Sequence, residues 1–254
     1  MKTLLNDTFI PVLSGQHNFR DLGGIPAIDG RLIRRGMLFR SGQLHSITDE
    51  DIKTLTHLGL AMIIDFRSPR EYEEWPNREI PGLKEIIHLP IYDAPRDLSA
   101  KYVEENNEEG LKHLLIDEYK RIILHYTKEF RQFLYEVAHN PNIPLVFQCS
   151  AGKDRTGLAT IFLLTALGIG KKEILNDYFR TNIFAQAHVR EIIGILNSDG
   201  HNGELMRPML EVRQEYIDAA FSAIQGQYGN LENFVFKELK AEPELLRERF
   251  LEEN

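Results

Sequence analysis

The sequence is short of the features that mark several large protein classes. It holds one cysteine in 254 residues, so no intramolecular disulfide can form and nothing points to an oxidising compartment. Basic charge is in deficit: 30 Lys and Arg stand against 38 Asp and Glu, a formal charge of −8. A general nucleic-acid binder needs a basic face to neutralise phosphates, and this balance argues against one, while leaving room for a small basic pocket around a single phosphate. No apolar run is long enough to span a bilayer, so stable membrane insertion is not expected. The opening residues Met1-Lys2-Thr3-Leu4-Leu5-Asn6-Asp7 lack a signal-peptide core, because polar side chains interrupt them at once. A cytoplasmic location is the expectation, with export without a classical signal left open. The histidines show no H-E-x-x-H metal spacing. No repeat, low-complexity stretch or long linker divides the chain, so a single domain over residues 1–254 is expected.

What is present is an alternation of short apolar runs and helical patterns. Residues 1 to about 48 read as irregular and Gly-rich, with Arg31, Arg34, Arg35 and Arg40 clustered. Thr48-Asp49-Glu50-Asp51 opens a helix, with Thr as cap and acids at its positive end. Leu60–Ile64 reads as a buried strand ending in Asp65-Phe66-Arg67. Ser68-Pro69-Arg70-Glu71 is a second helix start, with Ser as cap, Pro at the first helical position and Glu at the box position. Ile86–Pro90 and Pro144–Gln148 read as strands. Residues of about 98–139 carry apolar positions at helical spacing, from Leu114 and Tyr119 to Phe130 and Phe133, which read as core. After about residue 155 helix follows helix, and Asn197–Gly203 is the clearest loop. Strands joined by helices predict an α/β fold with a mostly parallel sheet flanked by helices and a largely helical C-terminal half.

The chemistry concentrates in Gln148-Cys149-Ser150-Ala151-Gly152-Lys153-Asp154-Arg155-Thr156-Gly157. This stretch follows a strand and precedes the apolar helix Leu158–Leu167. Such a turn directs backbone N–H groups into one concavity at the positive end of the helix dipole, which makes an anion site. Gly152 permits close approach of the chain, and the planar fork of Arg155 can grip two phosphate oxygens. Cys149 sits at the bottom. Cysteines at helix N-termini or beside cations are acidified, and a thiolate under a clamped phosphoryl group is an in-line nucleophile. Thr156 can donate a hydrogen bond to the sulfur as it leaves. No metal or other cofactor is required, because backbone N–H groups and Arg155 carry the charge stabilisation.

Cys149 to Arg155 resembles the C-x5-R-[S/T] phosphate loop of protein tyrosine phosphatases. Ala151–Gly157 is closer still to the bacterial tyrosine and lipid phosphatases typified by mycobacterial tyrosine phosphatase B. Blocks far from the loop share the resemblance: Asn18–Gly24, Leu38–Ser41, Asp65–Ser68, Asp177–Arg180 and Val212–Tyr216. The resemblance implies a phosphatase fold and hydrolysis of phosphate monoesters through a phosphocysteine. The substrates it implies are phosphorylated proteins (phosphotyrosine, with phosphoserine and phosphothreonine open) and phosphoinositides. It places the general acid at Asp93, in Ile91-Tyr92-Asp93-Ala94-Pro95, with Asp154 as an unusual loop aspartate that assists or substitutes. Loops of lipid phosphatases carry Lys where Lys153 stands; that side chain either meets a second phosphate or points to solvent. The family has His where this chain has Gln148, which can donate an amide hydrogen bond but carries no charge.

Two surrounding clusters are expected to be structural: Asp65, Arg67 and Glu71 as ion pairs at a strand end, and Asn18, Arg20 and Asp21 supporting the phosphate loop from below. The competing reading is a non-catalytic phosphate-binding module, motivated by Gln148 and opposed by the intact Cys149, Arg155 and Asp93. A rhodanese-type sulfurtransferase lacks support, because Lys153–Gly157 continues the phosphatase pattern. A P-loop phosphotransferase fails because Gly170-Lys171 is preceded by Thr165 where Gly is needed and followed by Lys172 where Ser or Thr is needed. An aspartyl-phosphate enzyme fails because Asp65 is not followed by x-Asp.

Overall fold

Short apolar runs that do not alternate with polar residues are the mark of strands covered on both faces. The computed structural model, which describes residues 12–92 and 96–253, has this arrangement. Strands β1 (Arg20–Asp21), β2 (Leu38–Ser41), β3 (Met62–Asp65), β4 (Glu85–His88) and β5 (Leu145–Gln148) form one sheet in the order β1-β2-β5-β3-β4. β1 pairs antiparallel with β2, and every other pairing is parallel. Every residue of β2, β3 and β5 is buried. Their side chains alternate between two cores. Phe39, Ile63 and Val146 face one core with Leu55 of α1 (Asp49–His57). Leu38, Met62, Ile64, Leu145 and Phe147 face the larger core.

The larger core is built by α4 (Glu108–His125), α5 (Thr127–His139) and α6 (Arg155–Ala166), with later helices such as Gln214–Tyr228 behind them. Two shorter helices, α2 (Pro69–Glu74) and α3 (Arg96–Glu104), lie between β3 and α4 in sequence. The helical stretch expected over about 98–139 is made of three helices. The first break lies between Glu104 and Glu108 and contains Asn106, whose φ of 50° lies in the left-handed region, and the second falls at Tyr126. Past α6 come α7 (Lys171–Phe184) and α8 (Gln186–Ser198), and the expected 197–203 loop shrinks to the residues between Ser198 and Gly203. Among the described residues no helix is long and apolar enough to cross a membrane.

The first 48 residues differ from expectation. From Val12 onward they contribute β1 and β2, and β2 is an inner strand. Arg40 disguises it. A fully buried arginine reads as a surface residue unless its partner, here Asp177 far along the chain, is known.

This topology sets the site. β5 lies between β2 and β3, which precede it in sequence, so the chain order switches there. Ser41, Gln148 and Asp65 stand in register at the carboxyl ends of the three parallel strands. Ligands of open α/β sheets bind outside those ends, at such a switch.

Both expected N-caps form reciprocal boxes: Thr48 with Asp51 at α1, and Ser68 with Glu71 at α2. Asp51 also accepts from the N–H groups of Ser14 and Gly15, both 2.8 Å away, and so ties the incoming chain to α1. Thr48→Ala removes the cap but leaves these bonds. It should lower the unfolding free energy by about 1 kcal/mol, read from the urea midpoint at constant slope.

Candidate active site

The turn from β5 into α6 is shaped by what binds its carbonyl groups. Gln43 N–H donates to Ser150 O at 2.9 Å. Asn18 Nδ2 donates to Ala151 O at 3.0 Å and Gly152 O at 2.9 Å, and Arg40 Nη2 donates to Gly152 O at 2.8 Å. With these three carbonyls held on the supporting side, the intervening N–H groups are turned the other way. Those of Ser150 to Asp154 donate to no protein acceptor among the described residues. Asp154 occupies the N-cap of α6, yet no side chain caps this helix. Its first N–H groups therefore add to the same concavity.

Gly152 is obligatory in this turn. Its φ is +69°, and a Cβ there would lie 2.4 Å from the backbone of Ser41 and Gly42. Cys149 lies below, 2% exposed, and Thr156 Oγ1 is buried with no hydrogen-bond partner among the described residues.

The supports are themselves supported. Arg20 donates to Asn18 Oδ1 and, through Nε at 2.9 Å, to Asp177 Oδ1. Arg40 Nη1 donates to Asp177 Oδ2 at 2.5 Å. Burial opposes the charge on Asp177, but the two guanidiniums outweigh it and hold the carboxyl down at about 2, against an ordinary 3.8. Arg20 is pushed down to about 10 by burial and by Arg40, and remains charged at neutral pH. Of the expected supports, Asn18 and Arg20 are in place. Asp21 is not: it accepts from Gly23 N–H and Gly36 N–H, both at 2.8 Å, and shapes the β1–β2 hairpin.

The second expected cluster also divides. Arg67 is bound to Asp65, with Nη2 at 2.6 Å from Oδ2. Glu71 is not part of that pair. It receives Arg155 in a fork, Nη1 to Oε2 and Nη2 to Oε1 both at 2.8 Å, and Ser150 Oγ donates to its Oε1 at 2.5 Å. Burial opposes ionisation of Glu71, but Arg155, Ser150 Oγ and Ser68 N–H hold its carboxyl far below the usual range. The capping glutamate of α2 thus also aims Arg155. Gln148 Nε2 donates to Asp65 Oδ2 at 2.7 Å and Asn77 Oδ1 at 2.9 Å, as a neutral amide can. Asn77 was not singled out in the sequence, and nothing in its surroundings there marks it.

A model described as the tyrosine phosphatase family matches residues 11–252. The chain belongs to that family. It is 31% identical, over 241 residues, to a Cupriavidus necator protein named as a tyrosine-protein phosphatase, covering 92% of this chain and 85% of that one. It is 29% identical to the triple specificity protein phosphatase PtpB of Mycobacterium tuberculosis, covering 88% of this chain and 91% of that one. Among solved structures, the catalytic core of a PP-IP phosphatase from S. cerevisiae is 16% identical with a TM-score of 0.37, covering 72% of this chain and 93% of that one. A likeness that loose says nothing about substrate.

In this phosphatase the two candidate acids differ in setting. Asp93 lies outside the described residues. The chain leading to it is held at the loop: Ile91 O accepts from Arg155 Nη1 at 2.9 Å, and Arg121 donates to Tyr92 O. Asp154 is already engaged. Its Oδ1 accepts from Tyr119 Oη at 2.7 Å, and its Oδ2 lies 2.7 Å from Lys153 Nζ. Lys153 is 6% exposed, so it neither points to solvent nor stands apart from counter-charge. Tyr119, read as core, is also a site residue. Burial first, then the nearby Asp154 and Tyr178, raise its phenol well above 10, so it stays a proton donor.

The carboxyls of Glu71 and Asp177 sit below their ordinary values of 4.5 and 3.8. Their contribution to stability is complete above those values and is lost as pH falls toward the folded ones. The urea midpoint should therefore decline from about pH 5 downward. Asp177→Asn should cost about 3–5 kcal/mol at neutral pH, since it strips buried charges of their partner, and should make the acid decline shallower. An acid decline as steep as that of the unaltered protein would remove Asp177 from this role.

Proposed function

We propose that this chain acts as a single catalytic unit that hydrolyses phosphate monoesters through a phosphocysteine on Cys149, with phosphotyrosine as the primary substrate class. The observation that carries the reading is the loop that follows the buried Cys149, whose N–H groups from Ser150 to Asp154 have no protein acceptor among the described residues, with Arg155 fixed on Glu71 beside it. Ser150, Ala151, Gly152, Lys153, Thr156 and Gly157 line the phosphate position. Glu71 fixes the direction of the Arg155 guanidinium, and the phosphate meets that guanidinium by charge. The thiolate attacks phosphorus in line, the P–O bond to the leaving group breaks, and the leaving oxygen takes a proton. Water then attacks the phosphocysteine, the P–S bond breaks to release inorganic phosphate, the acid ionised in the first step takes the proton from water, and Thr156 Oγ1 donates to the departing sulfur. No step requires a metal.

Asp93 is assigned the proton. Both oxygens of Asp154 are already approached by other groups, and this favours a positioning role for it, with Tyr119 and Lys153 as its partners. The extension to phosphoinositides is weaker than the sequence alone suggests, because the charge of Lys153 is matched by Asp154.

Hydrolysis of an aryl phosphate should persist in excess chelator and vanish in Cys149→Ser, while that variant still binds phosphate. Binding without hydrolysis by the unaltered protein would return the non-catalytic module.

Asp93→Asn should lower kcat/KM for phosphotyrosine by about 100-fold or more and flatten the alkaline limb of its pH profile. The loss should be small for an activated aryl phosphate, whose leaving group needs little protonation. If that leaving-group dependence arises in Asp154→Asn instead, the acid is Asp154.

A further inference from the structure

His17 stands immediately before Asn18, the side chain that holds the Ala151 and Gly152 carbonyls. Facing it, α8 carries His188 and Glu191, three residues apart and so on one side of the helix. The rings of His17 and His188 stack with centroids 5.1 Å apart and planes 23° from parallel. His188 Nδ1 lies 3.5 Å from Glu191 Oε2. One donor atom from each of these residues falls within 4.8 Å of the other two, and this is the one such group among the described residues. The side chains of His188 and Glu191 are 50% and 63% exposed, so burial does not fix either rotamer.

We propose that His17, His188 and Glu191 form a binding site for a divalent cation of the zinc class, separate from the phosphate loop. Two imidazole nitrogens and one carboxylate oxygen are a donor set of three-ligand zinc sites, which keep the fourth position for water. Imidazole donors favour zinc-like ions over magnesium and calcium, which prefer oxygen. Tetrahedral bonds of about 2.0–2.1 Å place donors roughly 3.3 Å apart, a closure within reach of exposed rotamers. No sequence spacing reveals the site, because one ligand comes from the segment before β1 and the others from α8.

Its placement gives it a consequence. Only Ala185 separates α8 from α7, and α7 supplies Asp177, the counter-charge of Arg20 and Arg40. A cation bridging α8 to His17 fastens this helical pair to the strut that orients the phosphate loop. The cation is a clamp and takes no part in phosphate transfer.

The test uses the full chain carrying Cys149→Ser, so that its one thiol cannot act as a ligand. Titration with Co2+ should give the visible band of a four- or five-coordinate ion, saturating at a single equivalent. Zn2+ should raise the thermal midpoint. His188→Ala and Glu191→Gln, both at exposed positions of α8 and checked for fold by circular dichroism, should each weaken Co2+ binding tenfold or more and cancel the thermal shift. A titration that leaves the spectrum of the hydrated ion unchanged overturns the site, as does binding that either substitution leaves unweakened.

Discussion

Three peptide carbonyls, those of Ser150, Ala151 and Gly152, are held away from the substrate by Gln43, Asn18 and Arg40. A peptide group cannot turn its C=O one way without turning its N–H the other, so these bonds preset an anion-binding surface before any anion arrives. Preorganisation of this kind spares the protein the reorganisation that water would need, and it is the largest electrostatic contribution available to a site with fixed donors. The remainder of the molecule follows from holding the supports in place. Arg40 and Arg20 share Asp177, Asn18 is oriented by Arg20, and Gly152 leaves room for the Ser41–Gly42 backbone to pack against the turn.

Charges on the two sides of the loop are held by different routes. Beneath it, two guanidiniums meet one buried carboxylate. At the rim, Arg155 meets Glu71, which also caps α2. Removing either carboxylate does more than delete an ion pair, because it releases the direction in which an arginine points. The Asp65–Arg67 pair, with Gln148 and Asn77 bonded to it, forms a third charged group at the ends of β3 and β5, and its charges cancel. A neutral amide at position 148 suits a carboxylate that already has its cation.

Much of this was legible in the sequence where the signal is local. The caps at Thr48 and Ser68, the strands around Ile63 and Val146 and the strand–loop–helix at Cys149 depend on residues within one turn of each other. Three of the misreadings share one cause, a partner remote in the chain. Arg40 hid β2 because Asp177 lies 137 positions away. Glu71 looked like a partner for its neighbour Arg67 but belongs to Arg155, 84 positions on. Tyr119 sat in an apolar helical stripe and gave no sign of its hydroxyl reaching Asp154. Resemblance to a family supplied the expectation that Asp93 is the acid, and its place after the Ile86–Pro90 strand was the one local sign of it.

The claim on which the functional account rests is that the loop presents phosphorus to Cys149 itself. Acid quenching of the protein during turnover of an aryl phosphate, followed by peptide mass analysis, tests it directly. The expected result is one added phosphoryl group on the peptide that contains Cys149, seen only while substrate remains. Rapid hydrolysis with that peptide unmodified at every time point, or the phosphoryl group on another residue, would contradict it.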